Sequence, residues 1–175
     1  MRDIELWKEI YERYSGRMLA VCMRYCPDRD TAQDMMHDGF ILVYKALDRF
    51  TDRGEGSMRA WIEKIMVNTC LQRLRKKDLL KNSTEISSLE NNTLVIDESL
   101  LESQLDGIPR DVLMQFIKEL PTGYRTVFNL YVFEEYSHKE IAKMLGINEK
   151  SSSSQLYRAK CILAKKITEY GKRER

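Results

Sequence analysis

Asp34 and Asp38 stand four residues apart, so a helix would set their carboxylates one turn from each other on a single face. Such a pair could share a proton or hold a cation. Acid–base work also needs a pocket that shifts a pKa, and no loop or second cluster accompanies these two, so catalysis is not expected there. Cys22, Cys26, His37 and Cys70 are metal ligands by type, but their spacing fits no common zinc pattern. The four cysteines, Cys161 included, are expected to be reduced packing residues, with no metal and no cofactor. The chain also lacks a nucleophile–base pairing, a phosphate-binding P-loop and a dinucleotide glycine motif, which argues against an enzyme and against a small-molecule substrate.

Polyanion chemistry remains. The net charge of +2 hides an asymmetry: residues 1–77 hold 15 Lys/Arg and 12 Asp/Glu, residues 82–109 hold none and 6, and residues 110–175 hold 13 and 8. Arg73, Arg75, Lys76 and Lys77 cluster, and the stretch from Lys150 to Arg175 has 8 bases and 2 acids. Basic helix ends suit phosphates, and equally suit a solvated face; charge alone leaves both open.

These groups need elements to hold them. The 175 residues allow one average domain or two small ones, and 43% hydrophobic with 32% charged residues marks a globular chain. No apolar run is long enough for a bilayer, and the N-terminus lacks the apolar core of a secretory signal, so a cytoplasmic protein without membrane insertion is expected. Trp7, Ile10, Tyr11, Tyr14, Met18, Val21, Cys22 and Tyr25 form a helical stripe ending near Pro27. With a cap among Asp28 to Asp30, a second helix carries Ala32, Met35, Met36, Phe40, Val43, Ala46, Leu47 and Phe50. Residues 51–57 form a loop with two glycines, and Met58, Trp61, Ile62, Ile65, Met66, Thr69 and Leu74 mark a third helix running into the basic cluster.

From Lys81 to Pro109 the periodicity is lost and acid accumulates, as in a flexible linker. Fully extended it reaches at most ~90 Å, about 27 base pairs of duplex, so two modules could bind separated sites. Beyond it lie a short helix (Val112, Leu113, Phe116, Ile117, Leu120) and a second opened by Pro121. Ser137-His-Lys-Glu140 reads as a capping box, Gly146 as a left-handed stop, and Asn148 as the cap of a longer basic helix with Leu156, Ala159, Ile162 and Leu163 inward. Helix, glycine turn and basic helix form a helix-turn-helix pattern, which generic helical hairpins share. The expected fold class is all-α: two small helical domains, residues 1–80 and 110–175, joined by a flexible acidic linker, residues 81–109.

With both modules in view, the chain resembles bacterial RNA polymerase sigma factors of the sigma-70 family, ECF (extracytoplasmic function) group. In the first module the residues are Asp30-Thr-Ala-Gln-Asp34, Asp38-Gly-Phe40, Tyr44 to Phe50 and Arg59-Ala-Trp61-Ile62…Ile65…Asn68…Arg73-Leu-Arg75-Lys-Lys77, as in sigma region 2. In the second they are Leu120-Pro121…Tyr124-Arg125…Val127-Phe128, Ser137…Glu140-Ile-Ala142…Leu145-Gly146-Ile147 and Tyr157-Arg158-Ala159, as in region 4.

The resemblance implies a non-enzymatic subunit that binds core RNA polymerase and promoter DNA. Its polymerase face would comprise Asp34, His37, Asp38, Ile41, Leu42 and Lys45, which could equally be an ordinary solvated helix face. The −10 element would be opened and read by Gly54, Ser57, Arg59, Lys64, Asn68, Arg73, Arg75 and Lys76, with Asn68 as the reader and the bases on phosphates. Trp61 is expected to pack in the core rather than stack on a base. The −35 element would meet Ser151, Ser153, Ser154, Gln155, Tyr157 and Arg158 in the major groove, Arg158 foremost. The run Ser151-Ser-Ser-Ser154 departs from the family pattern and weakens the helix start. An anti-sigma factor that holds the modules together or covers their surfaces is a further implied partner. The competing readings are an autonomous helix-turn-helix regulator, which would bind duplex DNA alone, and a sigma-like decoy or anti-sigma partner, which would not start transcription.

Overall fold

The computed structural model describes residues 4–76, 105 and 107–173. Most of the expected linker, residues 81–109, lies outside these. Seven α-helices, one 3-10 turn and no strand are present among the described residues, and the chain divides into two compact units, Met1–Lys77 and Asp78–Arg175.

The first unit is a three-helix bundle of α1 (Ile4–Tyr25), α2 (Arg29–Ala46) and α3 (Ser57–Lys76), each packed on the other two. Asp28 caps α2, its carboxylate accepting from the Thr31 amide at 2.9 Å. The apolar stripes close on a core of Met18, Val21, Tyr25, Met35, Val43, Ile62, Met66 and Leu74, all nearly inaccessible. Gly39 makes this closeness possible: a Cβ there would lie 2.3 Å from the Met66 sulfur. The second helix is shorter than its periodicity suggests. It ends at Ala46, the chain tightens into a 3-10 turn over Leu47–Arg49, and Phe50 turns extended so that its ring meets Trp61 at 5.0 Å. Trp61 is half-buried in this pair, which joins the two sides of the loop over residues 51–56.

The second unit comprises α4 (Arg110–Lys118), α5 (Thr122–Val132), α6 (His138–Leu145) and α7 (Glu149–Arg173). Helix α7 is the spine on which the other three pack, with Ile117, Leu120, Tyr124, Ala159 and Leu163 at the core. The local signals act as the sequence indicates. Ser137 and Glu140 make a reciprocal capping box, Gly146 is left-handed at φ 68°, and Asn148 accepts from the Ser151 amide at 2.7 Å. Arg125 is buried, with one guanidinium nitrogen donating to the carbonyls of Lys118 (2.9 Å) and Leu120 (2.7 Å). It thereby satisfies carbonyls at the end of α4 that have no partner within that helix.

Candidate nucleic-acid interfaces

The loop before α3 is built by one carboxylate. Asp52 accepts from the Gly54 amide (3.0 Å) and the Ser57 hydroxyl (2.7 Å), while that hydroxyl accepts from the Arg53 amide (3.2 Å). These bonds, the Ser57 hydroxyl foremost, hold the Asp52 carboxyl below its ordinary pKa. Gly54 and Gly56, at φ 108° and 81°, supply the left-handed turns that allow it. Gly54 and Ser57 are thus parts of an ordered turn as well as exposed or half-exposed surface.

On α3, about 100° per residue puts Ser57, Lys64, Asn68 and Arg75 within about 40° of one another. Lys64, Asn68 and Arg75 are exposed; Lys76, at the helix end, is exposed as well but about 100° round the helix from that row. Arg59 is exposed too, but near the helix start and on the other side. Arg73 lies about 160° from Arg75 on the same wheel, toward Ile62 and Met66. Its guanidinium donates to Asp38 at 2.9 Å and reaches Asp34 at 3.5 Å. The structure therefore joins one residue expected at DNA to two expected at the polymerase.

Asp34, His37, Asp38, Ile41, Leu42 and Lys45 are all exposed on α2, including Ile41 at 51% and Leu42 at 43%. Leu42 borders a shallow groove shared with α3: one end is lined by Asp38, Ile41, Gln72, Arg73 and Lys76, the other by Lys45, Arg49, Ile65 and Asn68. Asn68 lines this groove while standing on the same side of α3 as Lys64 and Arg75. In the core of the bundle, the Cys70 thiol is raised well above its ordinary pKa by its hydrogen bond with Cys22 and by burial, which keeps it protonated and unreactive at neutral pH.

In the second unit, the four serines divide. Ser151 is half-buried at the cap, Ser152 is fully buried, and Ser153 and Ser154 face out with Tyr157 and Arg158; Gln155 borders the core side. The Ser152 hydroxyl is 2.9 Å from Nδ1 of His138, whose ring stacks on Tyr131 at 4.7 Å. This contact crosses from α6 to α7 and fixes the start of the second helix where serine propensity is weak. Arg158 donates to the Tyr124 hydroxyl at 3.2 Å, so the exposed guanidinium is steered by a tyrosine rooted in the core. Ile162 is half-buried against that core, and Leu156 and Ala159 are buried.

The sequence motifs assign no site role to Asp52, His138 or Ser152, nor the pairing of Arg73 with the aspartates. Three left a signal. Asp followed at two residues by Gly is an Asx-turn pattern, Ser152 falls on the Leu156–Ala159 stripe, and the helical wheel separates Arg73 from Arg75. His138 left none beyond its place in the capping box.

The family model described as Sigma-70 region 2 matches residues 10–79, and that described as Sigma-70, region 4 matches residues 110–160, together more than half of the chain. The RNA polymerase sigma factor YlaC of Bacillus subtilis is 28% identical over 175 residues, covering 100% of this chain and 99% of the relative. The RNA polymerase sigma-H factor of Pseudomonas aeruginosa is 26% identical, covering 89% and 82%. The ECF RNA polymerase sigma-E factor of Escherichia coli K12 is 26% identical, covering 94% and 88%. Both modules, in this order and in one chain, match region by region: the chain belongs to the sigma-70 family, in its ECF group.

Proposed function

We propose a division of labour within this sigma factor. As an alternative sigma factor the chain directs transcription initiation, and its partners as a family member are core RNA polymerase and promoter DNA. The exposed α2 face, with Asp34, His37, Asp38, Ile41, Leu42 and Lys45, meets a basic and apolar surface of the polymerase. The loop with Gly54 and Ser57 and the strip Lys64, Asn68 and Arg75 meet the −10 element, with Arg59 and Lys76 near phosphates. The outer side of α7, with Ser153, Ser154, Tyr157 and Arg158 flanked by Ser151 and Gln155, meets the −35 element.

The observation that carries this reading is the common exposure of Lys64, Asn68 and Arg75 beside a preordered loop. A polar amide between two cations suits a base edge between phosphates, and an ordered loop suits a base drawn out of the stack. The protein acts by binding, with bond chemistry left to the polymerase, in the cytoplasm where that enzyme works. Among the described residues no helix is long and apolar enough to cross a membrane. The acidic stretch between the units suits control by an anti-sigma factor that holds both modules, to be sought as a stable complex in native gels; if no partner forms one, that part of the proposal fails.

The test is fluorescence titration of labelled protein with bacterial core polymerase, followed by run-off transcription. Saturable binding and protein-dependent transcripts support the reading. DNA binding by the free protein with no gain in transcripts would favour an autonomous helix-turn-helix regulator.

A further inference from the structure

We infer that Arg73 is a positioning residue of the polymerase-facing surface rather than a phosphate contact of the −10 helix. The inference rests on the polymerase reading of α2 proposed above. Its basis is the fork between Arg73 and two carboxylates one turn apart on the neighbouring helix: Nη1 to Oδ2 of Asp38 at 2.9 Å, Nη2 to Oδ2 of Asp34 at 3.5 Å.

The three side chains differ in exposure in a telling way. Asp34 is 65% and Asp38 53% exposed, whereas Arg73 is 30% exposed. The cation lies behind and the anions in front, so a macromolecule reaching this face meets carboxylates first. Two aspartates at i and i+4 repel each other, and without a counterion they would spread among rotamers. The planar guanidinium satisfies one oxygen of each and fixes both. The partner then docks on carboxylates whose side-chain entropy is already spent. The same geometry separates Arg73 from the row of Lys64, Asn68 and Arg75, since its Cα direction is about 160° from that of Arg75.

A merely competing counterion would make the opposite forecast, because deleting it would leave the aspartates more attractive to a basic partner. The experiment compares wild-type, Arg73→Gln and Arg73→Lys full-length chains in binding to core polymerase, with thermal unfolding of each variant as a control. The expected result is a loss of about five-fold in affinity for Arg73→Gln, and about two-fold for Arg73→Lys, which keeps the charge but not the fork. In an Asp34→Asn, Asp38→Asn background, Arg73→Gln should have no further effect. The salt slope of holoenzyme on promoter DNA should be the same for Arg73→Gln as for wild type.

Unchanged or tighter polymerase binding by Arg73→Gln would overturn the inference, as would additive losses in the double-asparagine background. A salt slope lower by about one would return Arg73 to a phosphate. Should Arg73→Gln unfold, Arg73→Lys decides by the same criteria. If wild type itself fails to bind core polymerase, the α2 reading falls and takes this inference with it; if wild type binds and Arg73→Gln binds equally, only the inference falls.

Discussion

Helices α3 and α7 carry the polar strips proposed to meet DNA, and they are held in different ways. On α3 the strip is a row of exposed side chains on one wheel position, preceded by a loop tied at Asp52. On α7 the central group, Arg158, is steered by Tyr124, and the helix start is fastened to α6 through Ser152 and His138. The first arrangement suits mobile cations over a deformable, opening strand, with order concentrated in the loop. The second suits a side chain delivered to a fixed place in a rigid groove. The expected division is that α3 governs melting and salt dependence, and α7 governs discrimination among duplex sequences.

The contrast extends to what keeps each unit folded, and the largest effects test it there. Replacing Arg125 by Ala strands the Lys118 and Leu120 carbonyls, and should cost the second unit about 3 kcal/mol while leaving the first bundle intact. Chemical denaturation monitored by circular dichroism should then resolve two transitions, only one of them shifted. Gly39→Ala is the mirror experiment. Crowding against buried Met66 should cost the first unit about 2 kcal/mol and leave the second unmoved. A single transition shifted by both variants would show that the units do not unfold separately.

Smaller effects sharpen the functional half of the comparison. Arg158→Ala should cost about 1–3 kcal/mol of −35 discrimination in holoenzyme binding to matched and mismatched promoters, with melting at −10 unaltered. If Tyr124 is what steers Arg158, Tyr124→Phe should move the same readout by a lesser amount. Asp52 gives the smallest effect and a signed one. Its carboxyl is held below the ordinary value of 3.8, so its contribution to loop order is fully present above that value and is lost as pH falls through the depressed one. Amide exchange at Gly54 should accordingly be unaffected by protonation of Asp52 between pH 5 and 8 once intrinsic rates are removed. A protection change within that range would mean that another group organises the loop.

The two regions also differ in how far the residues alone disclose them. The α6–α7 turn is legible because its determinants are local: a capping box, a left-handed glycine and an asparagine cap are complete within twelve residues. The first bundle is legible as helices, through stripes such as Ile10 to Tyr25, but not as a site. Arg73 looks like a neighbour of Arg75 along the chain, and only the pairing of α2 with α3 gives it to Asp38. The apolar period runs past the end of α2 for a related reason: Phe50 continues it in sequence, whereas in the fold the chain leaves the helix and the Phe50 ring packs on Trp61. Along the chain Ser152 is one of four weak helix formers, and the hydrogen bond that makes its burial useful depends on where His138 arrives.

The most direct test is run-off transcription by core polymerase on templates randomised at both promoter elements, with the products sequenced for wild type, Asn68→Ala and Arg158→Ala. The account predicts two separated sequence preferences that require the protein, the −10 preference relaxed only by Asn68→Ala and the −35 preference only by Arg158→Ala. Transcripts with no dependence on the protein, or a single preference relaxed alike by both variants, would contradict it.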